Sequence, residues 1–273
     1  MKARLRRRLR LSDISHSRLR RFLADVRSRP AVSLPGRTPQ SLAVVVPCYG
    51  HAAYLPRTIE SIVAQTRRPD EVIFVDDRSP DATEELLGAF VASNPWPAGA
   101  VRFLVNDRNV GQAASLNRAI GAASSEAIMI LNDDDYLMHD AVEVALGLLG
   151  RHPEVALVGT TNVGFAGDES LAAAPKLSTD HAHPDRPLDI RLPAEVSRYR
   201  HPNDLNMTHT GTCFYKVVWE AVGGYWDRAR RVVPFSDRDF QLRVNAIWPV
   251  GVLMDTPLSF WRNDSSVDRL LNS

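Results

Sequence analysis

The sequence predicts an α/β protein built on a mostly parallel sheet flanked by helices. Two observations carry this. Short apolar runs alternate with stretches of helical periodicity from Leu42 to Val158, the pattern of repeated βαβ units. Unusual polar clusters follow the runs at what would be the carboxyl ends of the strands, where open α/β sheets bind ligands.

The elements run in order. Residues 1–30 read as a basic amphipathic helical arm, with Leu19, Phe22, Leu23 and Val26 on one helix face. Residues 31–41 hold Pro35, Gly36 and Pro39 and read as a linker. Leu42–Pro47, rich in valine, is a buried strand, and Tyr54–Gln65 has helical periodicity. Glu71–Val75 is the second strand. Ser79-Pro80-Asp81 opens the second helix, since Ser caps and Pro suits a first turn. Val101–Val105 and Gly111–Ala123 are the third strand and helix. Ala127–Leu131 is the fourth strand, with a helix to about Gly150, and Val155–Val158 is a fifth strand. From Thr160 to His209 the pattern fails, and this stretch reads mostly as loop. Order returns with Thr212–Val218, the Gly223-Gly224 turn, a helix near Asp237–Ile247, and strands near Val250–Met254 and Leu258–Arg262. Residues 42–160 would form a ligand-binding half and 161–273 the other half of the same domain.

Composition narrows the class. Net charge is +1 over 273 residues, yet residues 1–30 hold eleven Lys/Arg against two Asp, so the body is acidic. A basic arm on an acidic body argues against a general nucleic-acid binder. Arg beside an apolar stripe favours a membrane-surface helix for the arm, with a solvated helix as the alternative. Cys48 and Cys213 form neither a metal knuckle nor a redox pair and fit a reducing compartment. With no apolar run of about 18 residues and no secretory pattern at the N-terminus, the expected location is the cytoplasm, with the arm at the inner face of the membrane.

Four polar clusters fall on one predicted rim: Cys48-Tyr49-Gly50, Asp76-Asp77, Asn106–Gly111 and Asn132-Asp133-Asp134-Asp135. Consecutive carboxylates after a buried strand are costly unless a cation compensates, and oxygen ligands suit Mg²⁺ or Mn²⁺ bridging substrate phosphates. A solvated acidic turn is the alternative. A carboxylate at Asp76-Asp77 could accept a hydrogen bond from a nucleobase N–H or simply make a turn. No G-x-G-x-x-G follows the first strand and no G-x-x-x-x-G-K-[ST] occurs. No G-x-S-x-G elbow occurs either, so dinucleotide, P-loop and α/β-hydrolase chemistries lack their signatures.

These residues also carry a resemblance. VVVPCYGHAAYLPRTIESIVAQTRRPDEVIFVDDRSPDAT resembles the opening of family 2 glycosyltransferases of the GT-A fold. NVGQAASLNRAIGAA resembles the segment that follows, and IMILNDDDYL resembles their Asp-x-Asp metal motif. TGTCFYKVVWEAVGGYWDR with PFSDRDFQLR resembles the acceptor-side Gly-Gly-Phe and Glu-Asp motifs. The resemblance spans about residues 42–265. It implies an inverting, metal-dependent transfer of a sugar from a nucleotide-diphosphate donor to a glycan or lipid-linked acceptor. Pro47, Tyr49 and Asp77 would hold base and ribose, and Asp134 would contact ribose. Asp135, with Asp133 restoring an Asp-x-Asp, would bind Mn²⁺ or Mg²⁺. Asp237 would be the general base. The sequence departs from the pattern at Gly50, Arg78, Leu116, Asn132 and Ser236, the last two standing for Asp and Glu. The processive synthases' Gln-x-x-Arg-Trp motif is incomplete at Gln241-Leu242-Arg243, so a single-addition enzyme is expected. A catalytically inactive nucleotide-sugar-binding protein is the alternative from another class.

Other polar and aromatic residues have local readings. Asp239, in the first turn of its helix, suits the helix dipole, and His181 and His183 suit a solvated loop. Gly224 and Trp226 are acceptor-side candidates, with Trp226 as an exposed sugar platform after the turn.

Overall fold

The computed structural model describes residues 14–94, 96–161, 164–165, 188–193, 205, 207–254 and 257–262. His181 and His183 lie outside them, as do residues 1–13 of the arm.

Four parallel strands form the first half of the sheet: β1 (Leu42–Cys48), β2 (Glu71–Asp76), β3 (Val101–Val105) and β4 (Ala127–Ile130). Every residue of β1 and β4 is buried, as expected of strands covered on both faces. The connecting helices are α2 (Leu55–Val63), α3 (Thr83–Ser93), α4 (Gln112–Ala122) and α5 (Ala141–Arg151), preceded by α1 (His16–Arg27). Pro56 sits in the first turn of α2, where its missing N–H costs nothing.

The sheet continues beyond β4 with a change of direction. β9 (Cys213–Tyr215) runs antiparallel between β4 and β6 (Leu157–Thr160), and β10 (Val250–Leu253) runs parallel to β6. β8 (Leu188–Arg191) closes the edge antiparallel to β10. The strand order is β3-β2-β1-β4-β9-β6-β10-β8. A small sheet, β5 (Tyr136–Leu137), β11 (Ser259–Arg262) and β7 (Gly164–Phe165), lies past the end of β4.

Three features differ from the sequence expectation. β7 and β8 fall in the stretch read as loop. Order at Thr212–Val218 divides: after Tyr215 the chain becomes α6 (Lys216–Val222), which Gly223 ends in the left-handed region at φ 74°. The helix that carries Asp237, α7 (Ser236–Asn245), matches the expected place.

The arm differs most. Leu19, Phe22 and Leu23 of α1 are buried in the core. Phe22 meets Trp226 edge to face at 5.4 Å between centroids. Ser15 N donates to Val232 O at 2.8 Å, and Arg18 Nη1 donates to Arg231 O at 2.8 Å. The apolar stripe that a membrane-surface helix would offer to lipid is therefore taken up by the protein's own body. Only the polar face, with Arg20, Arg21 and Arg27, stays exposed. Among the described residues no helix is long and apolar enough to cross a membrane.

Candidate active site

The site lies at the carboxyl ends of β1, β2 and β4 and the start of α7. At the end of β1, Pro47 is buried, whereas Tyr49 is a large side chain left 49% exposed. A buried strand that ends in an exposed aromatic offers a flat apolar face on the rim. At the end of β2 the two aspartates divide their work. Asp77 accepts from Asn106 Nδ2 (2.7 Å) and Val110 N (2.8 Å) at Oδ1, and from Gly111 N (2.7 Å) at Oδ2. Its carboxylate thus organises the loop from β3 to α4. Asp76 Oδ1 accepts from Ser79 N at 3.0 Å and from Ser79 Oγ, and its buried Oδ2 has no partner. Each aspartate therefore keeps acceptor capacity at its Oδ2. Arg78, where the family pattern has Gly, still takes the left-handed conformation at φ 63°, which an L side chain enters at a cost.

The acidic turn after β4 is held from below. Thr58 Oγ1 of α2 donates to the carbonyls of Asp133 (2.9 Å) and Asp135 (2.8 Å). The three carboxylates then point different ways. Asp133 accepts Tyr49 N at 2.8 Å and pairs with His51 Nδ1 at 2.9 Å. One ligand atom each from His51, Asp133 and Asp134 lies within 4.8 Å of the others. Asp135 instead turns inward and is 3% exposed. Its carboxylate accepts Thr210 Oγ1, Asn132 Nδ2 at 2.9 Å and Arg262 N of β11 at 2.8 Å. Asp135 was expected to bind metal and Asp134 ribose. In the structure Asp134 joins the cluster with Asp133 and His51, while Asp135 anchors the turn to β11 and to the 207–212 segment. His51 was missed; its only sequence signal is its place just past the first strand's turn.

Crowding shifts the titration of all three groups. Burial, then the charge of Asp133, raises the Asp134 carboxyl to about 6. Burial, then Asp134, pushes Asp135 up to about 8. The hydrogen bond to Asp133 holds the His51 imidazole up at about 9. Crowded carboxylates that resist ionisation are relieved by a nearby positive charge. One imidazole and two carboxylates are chemically suited to a divalent ion once the imidazole gives up its proton.

Across the cleft stands α7. Asp237 is partly exposed at its start, its side chain about a quarter accessible. Asp239 is fully buried, paired with Arg243 at 2.8 Å and accepting Val232 N. Arg243 also donates to Val222 O (2.7 Å) and Gly224 O (2.8 Å) and stacks on Trp226 at 4.0 Å. Asp239 is thus a structural anion. Trp226, 9% exposed among Phe22, Arg230 and Arg243, is not the exposed platform the sequence suggested. Gly224 is a packing glycine: φ is +68°, and a Cβ would come within 2.7 Å of Asn117 Oδ1. Asn117 clamps this turn through Tyr225 N (2.8 Å) and Tyr225 O (2.7 Å). His209 Nε2 meets Tyr225 OH at 3.1 Å. Burial lowers the His209 pKa, against the opposing field of nearby Asp237.

Two side-chain contacts join the halves of the cleft. Gln112, the first residue of α4, donates from Nε2 to Asn132 Oδ1 at 3.2 Å and accepts from Ser236 Oγ at 3.2 Å.

The parallel half of the sheet thus ends in an exposed aromatic, paired aspartates and an acidic turn, beside a partly exposed aspartate on a separate helix. The chain belongs to glycosyl transferase family 2, whose model matches residues 43–212. It is 34% identical over 132 residues to the chondroitin synthase of Pasteurella multocida (strain Pm70), covering 48% of this chain and 13% of that one. It is 34% identical over 102 residues to the glycosyltransferase GlyG of Streptococcus pneumoniae, covering 37% of this chain and 33% of that one. The matches thus span a third or less of those relatives' length. The fold is similar to that of Staphylococcus aureus TarS 1-349 in complex with UDP, with a TM-score of 0.60 and 17% identity over 82% of this chain and 60% of that chain. It is also similar to that of the mannosyltransferase PcManGT of Pyrobaculum calidifontis in complex with GDP-Man and Mn²⁺, with a TM-score of 0.55 and 17% identity over 90% of this chain and 62% of that chain.

Proposed function

We propose that the chain is an inverting, divalent-metal-dependent, single-addition glycosyltransferase. It moves a sugar from a nucleotide-diphosphate donor to a glycan or lipid-linked acceptor. The observation that carries this is the pairing of two features: the His51–Asp133–Asp134 cluster and, joined to its turn through Gln112, the start of α7 with partly exposed Asp237. In-line inversion needs that arrangement, with leaving group and base on opposite faces of the anomeric carbon.

The nucleobase lies against Tyr49 and Pro47, with Asp76 and Asp77 at the edge that meets its N–H groups. Asp133, Asp134 and His51 would hold the metal, which when bound neutralises charge on the departing diphosphate. Mn²⁺ ranks ahead of Mg²⁺ because Mg²⁺ favours an all-oxygen shell. Asp237 takes the acceptor hydroxyl's proton as that oxygen bonds to the anomeric carbon and the bond from that carbon to the diphosphate oxygen breaks. Membrane contact by the arm, in this reading, is electrostatic only, through arginines such as Arg20, Arg21 and Arg27, at about 1 kcal/mol each near an anionic surface.

The test is release of nucleoside diphosphate from UDP-GlcNAc, UDP-glucose and GDP-mannose, each with Mn²⁺, with Mg²⁺ and with chelator. Metal-dependent release from at least one donor is expected. Binding of UDP or GDP without any turnover, with or without added acceptors, would support the inactive binding protein instead.

A further inference from the structure

The two walls of the cleft are made by segments about a hundred residues apart, Asn132–Asp135 and Ser236–Asp237, yet the transfer needs their separation fixed. The side chain that spans them is Gln112. Its amide presents Nε2 to Asn132 Oδ1 and Oε1 to Ser236 Oγ. Asn132 in turn gives its Nδ2 to Asp135 Oδ2 at 2.9 Å. The result is a directed chain: Ser236 Oγ–H to Gln112, Gln112 to Asn132, Asn132 to Asp135. Ser236 directly precedes Asp237, and Asn132 directly precedes Asp133. The chain is rooted, since Gly111, the residue that caps α4, has its N–H held by Asp77, and the Asn132 N–H is held by Thr210 Oγ1 at 3.2 Å.

Asn132 and Ser236 are also two of the positions at which this sequence departs from the motifs it resembles. Both exchange an acid for a neutral group. A glutamine amide can join a neutral acceptor on one side to a neutral donor on the other. A carboxylate at position 236 could not donate as the serine hydroxyl does, so the amide could not join the two segments in this direction. The departures and the bridge thus form one unit.

We propose that Gln112 is a positioning residue of the transfer: its amide ties the metal-binding turn to the first turn of α7 and so sets the approach of Asp237 to the anomeric carbon. This rests on the transfer proposed above. Gln112 is exposed on the cleft and buries little, so its loss spares the fold. Both bridging bonds are at the long end of the hydrogen-bond range, and such bonds commonly tighten in the reacting complex.

The test is a double-mutant cycle of Gln112→Leu and Ser236→Ala, with Gln112→Glu as a second variant. The glutamate keeps an acceptor for Ser236 but turns a carboxylate on Asn132 Oδ1. The readouts are kcat and KM for whichever of UDP-GlcNAc or GDP-mannose the wild type hydrolyses with Mn²⁺, and UDP or GDP affinity by calorimetry. Gln112→Leu is expected to lower kcat by about ten- to a hundredfold, the scale of a small misplacement of reacting groups, with KM and nucleotide affinity within about twofold. Gln112→Glu is expected to fall with it. Ser236→Ala should lower kcat too, and the double variant should be no worse than Gln112→Leu, because residues that act through one bond do not add. Independent, multiplying effects on kcat, or a Gln112→Leu variant as active as wild type, would overturn the role and leave the transfer standing. A wild type that hydrolyses no donor would remove the transfer, and the role with it.

Discussion

Asp135 and Asp134 are adjacent, yet the structure gives their removal opposite consequences. Asp135→Ala strips the acceptor from Thr210 Oγ1, Asn132 Nδ2 and Arg262 N, all gathered on a carboxylate that is 3% exposed. A buried donor left unpaired costs about 1–3 kcal/mol. Three such donors, less the relief of no longer holding a desolvated acid raised to about 8, give a net loss of about 2–4 kcal/mol. For a chain of this size that is a fall in Tm of roughly 5–15 °C. Asp134→Ala removes a half-buried carboxyl whose own pKa is raised by burial and by Asp133, so Tm should hold or rise, while Mn²⁺-dependent nucleotide binding is lost. The assays are thermal unfolding of both variants and calorimetric titration of UDP and GDP with and without Mn²⁺. The reasoning fails if Asp135→Ala keeps its Tm within about 2 °C and loses metal-dependent binding while Asp134→Ala keeps it.

Two further expectations concern stability. Phe22→Ala, in the docked face of α1, should cost about 3 kcal/mol, read as a lower denaturation midpoint; an unchanged midpoint would mean the arm is not part of the body. His209 should make the native state acid-sensitive. Its folded pKa is depressed from 6.5 by burial, so the unfolded chain binds a proton that the folded chain refuses. Its contribution is neutral above 6.5 and turns destabilising as pH falls below it. His209→Gln should flatten that part of the stability profile between pH 7 and 5, and a profile parallel to wild type would refute the assignment.

The parallel half of the fold was legible because β1, β2 and β4 are buried almost throughout and read as apolar runs ending in polar clusters. The antiparallel half was less so. β9 has three residues, too few for a period, and the adjacent Val217 and Val218 at the start of α6 look like strand. Within the site, the clustering of polar groups on one rim was readable, but their directions were not. Three aspartates in one turn carry the same letter, and only partners far along the chain, Thr210 and Arg262, turn one of them inward. The same holds for Asp77, committed by loop amides thirty-odd residues on. The stripe on α1 was visible, but its receiving surface, built around Trp226, Val232 and Arg243, exists only in the folded chain. Trp226 was misplaced for that reason.

Asp237→Asn tests the account most directly. The asparagine keeps the shape and most hydrogen bonds of the side chain but cannot take the acceptor's proton. Nucleotide affinity with Mn²⁺ and donor turnover are measured on the same preparations of wild type and variant. The account predicts unchanged affinity and a fall in turnover of roughly 10²–10⁴, the usual worth of a positioned general base. Turnover near that of wild type would contradict it.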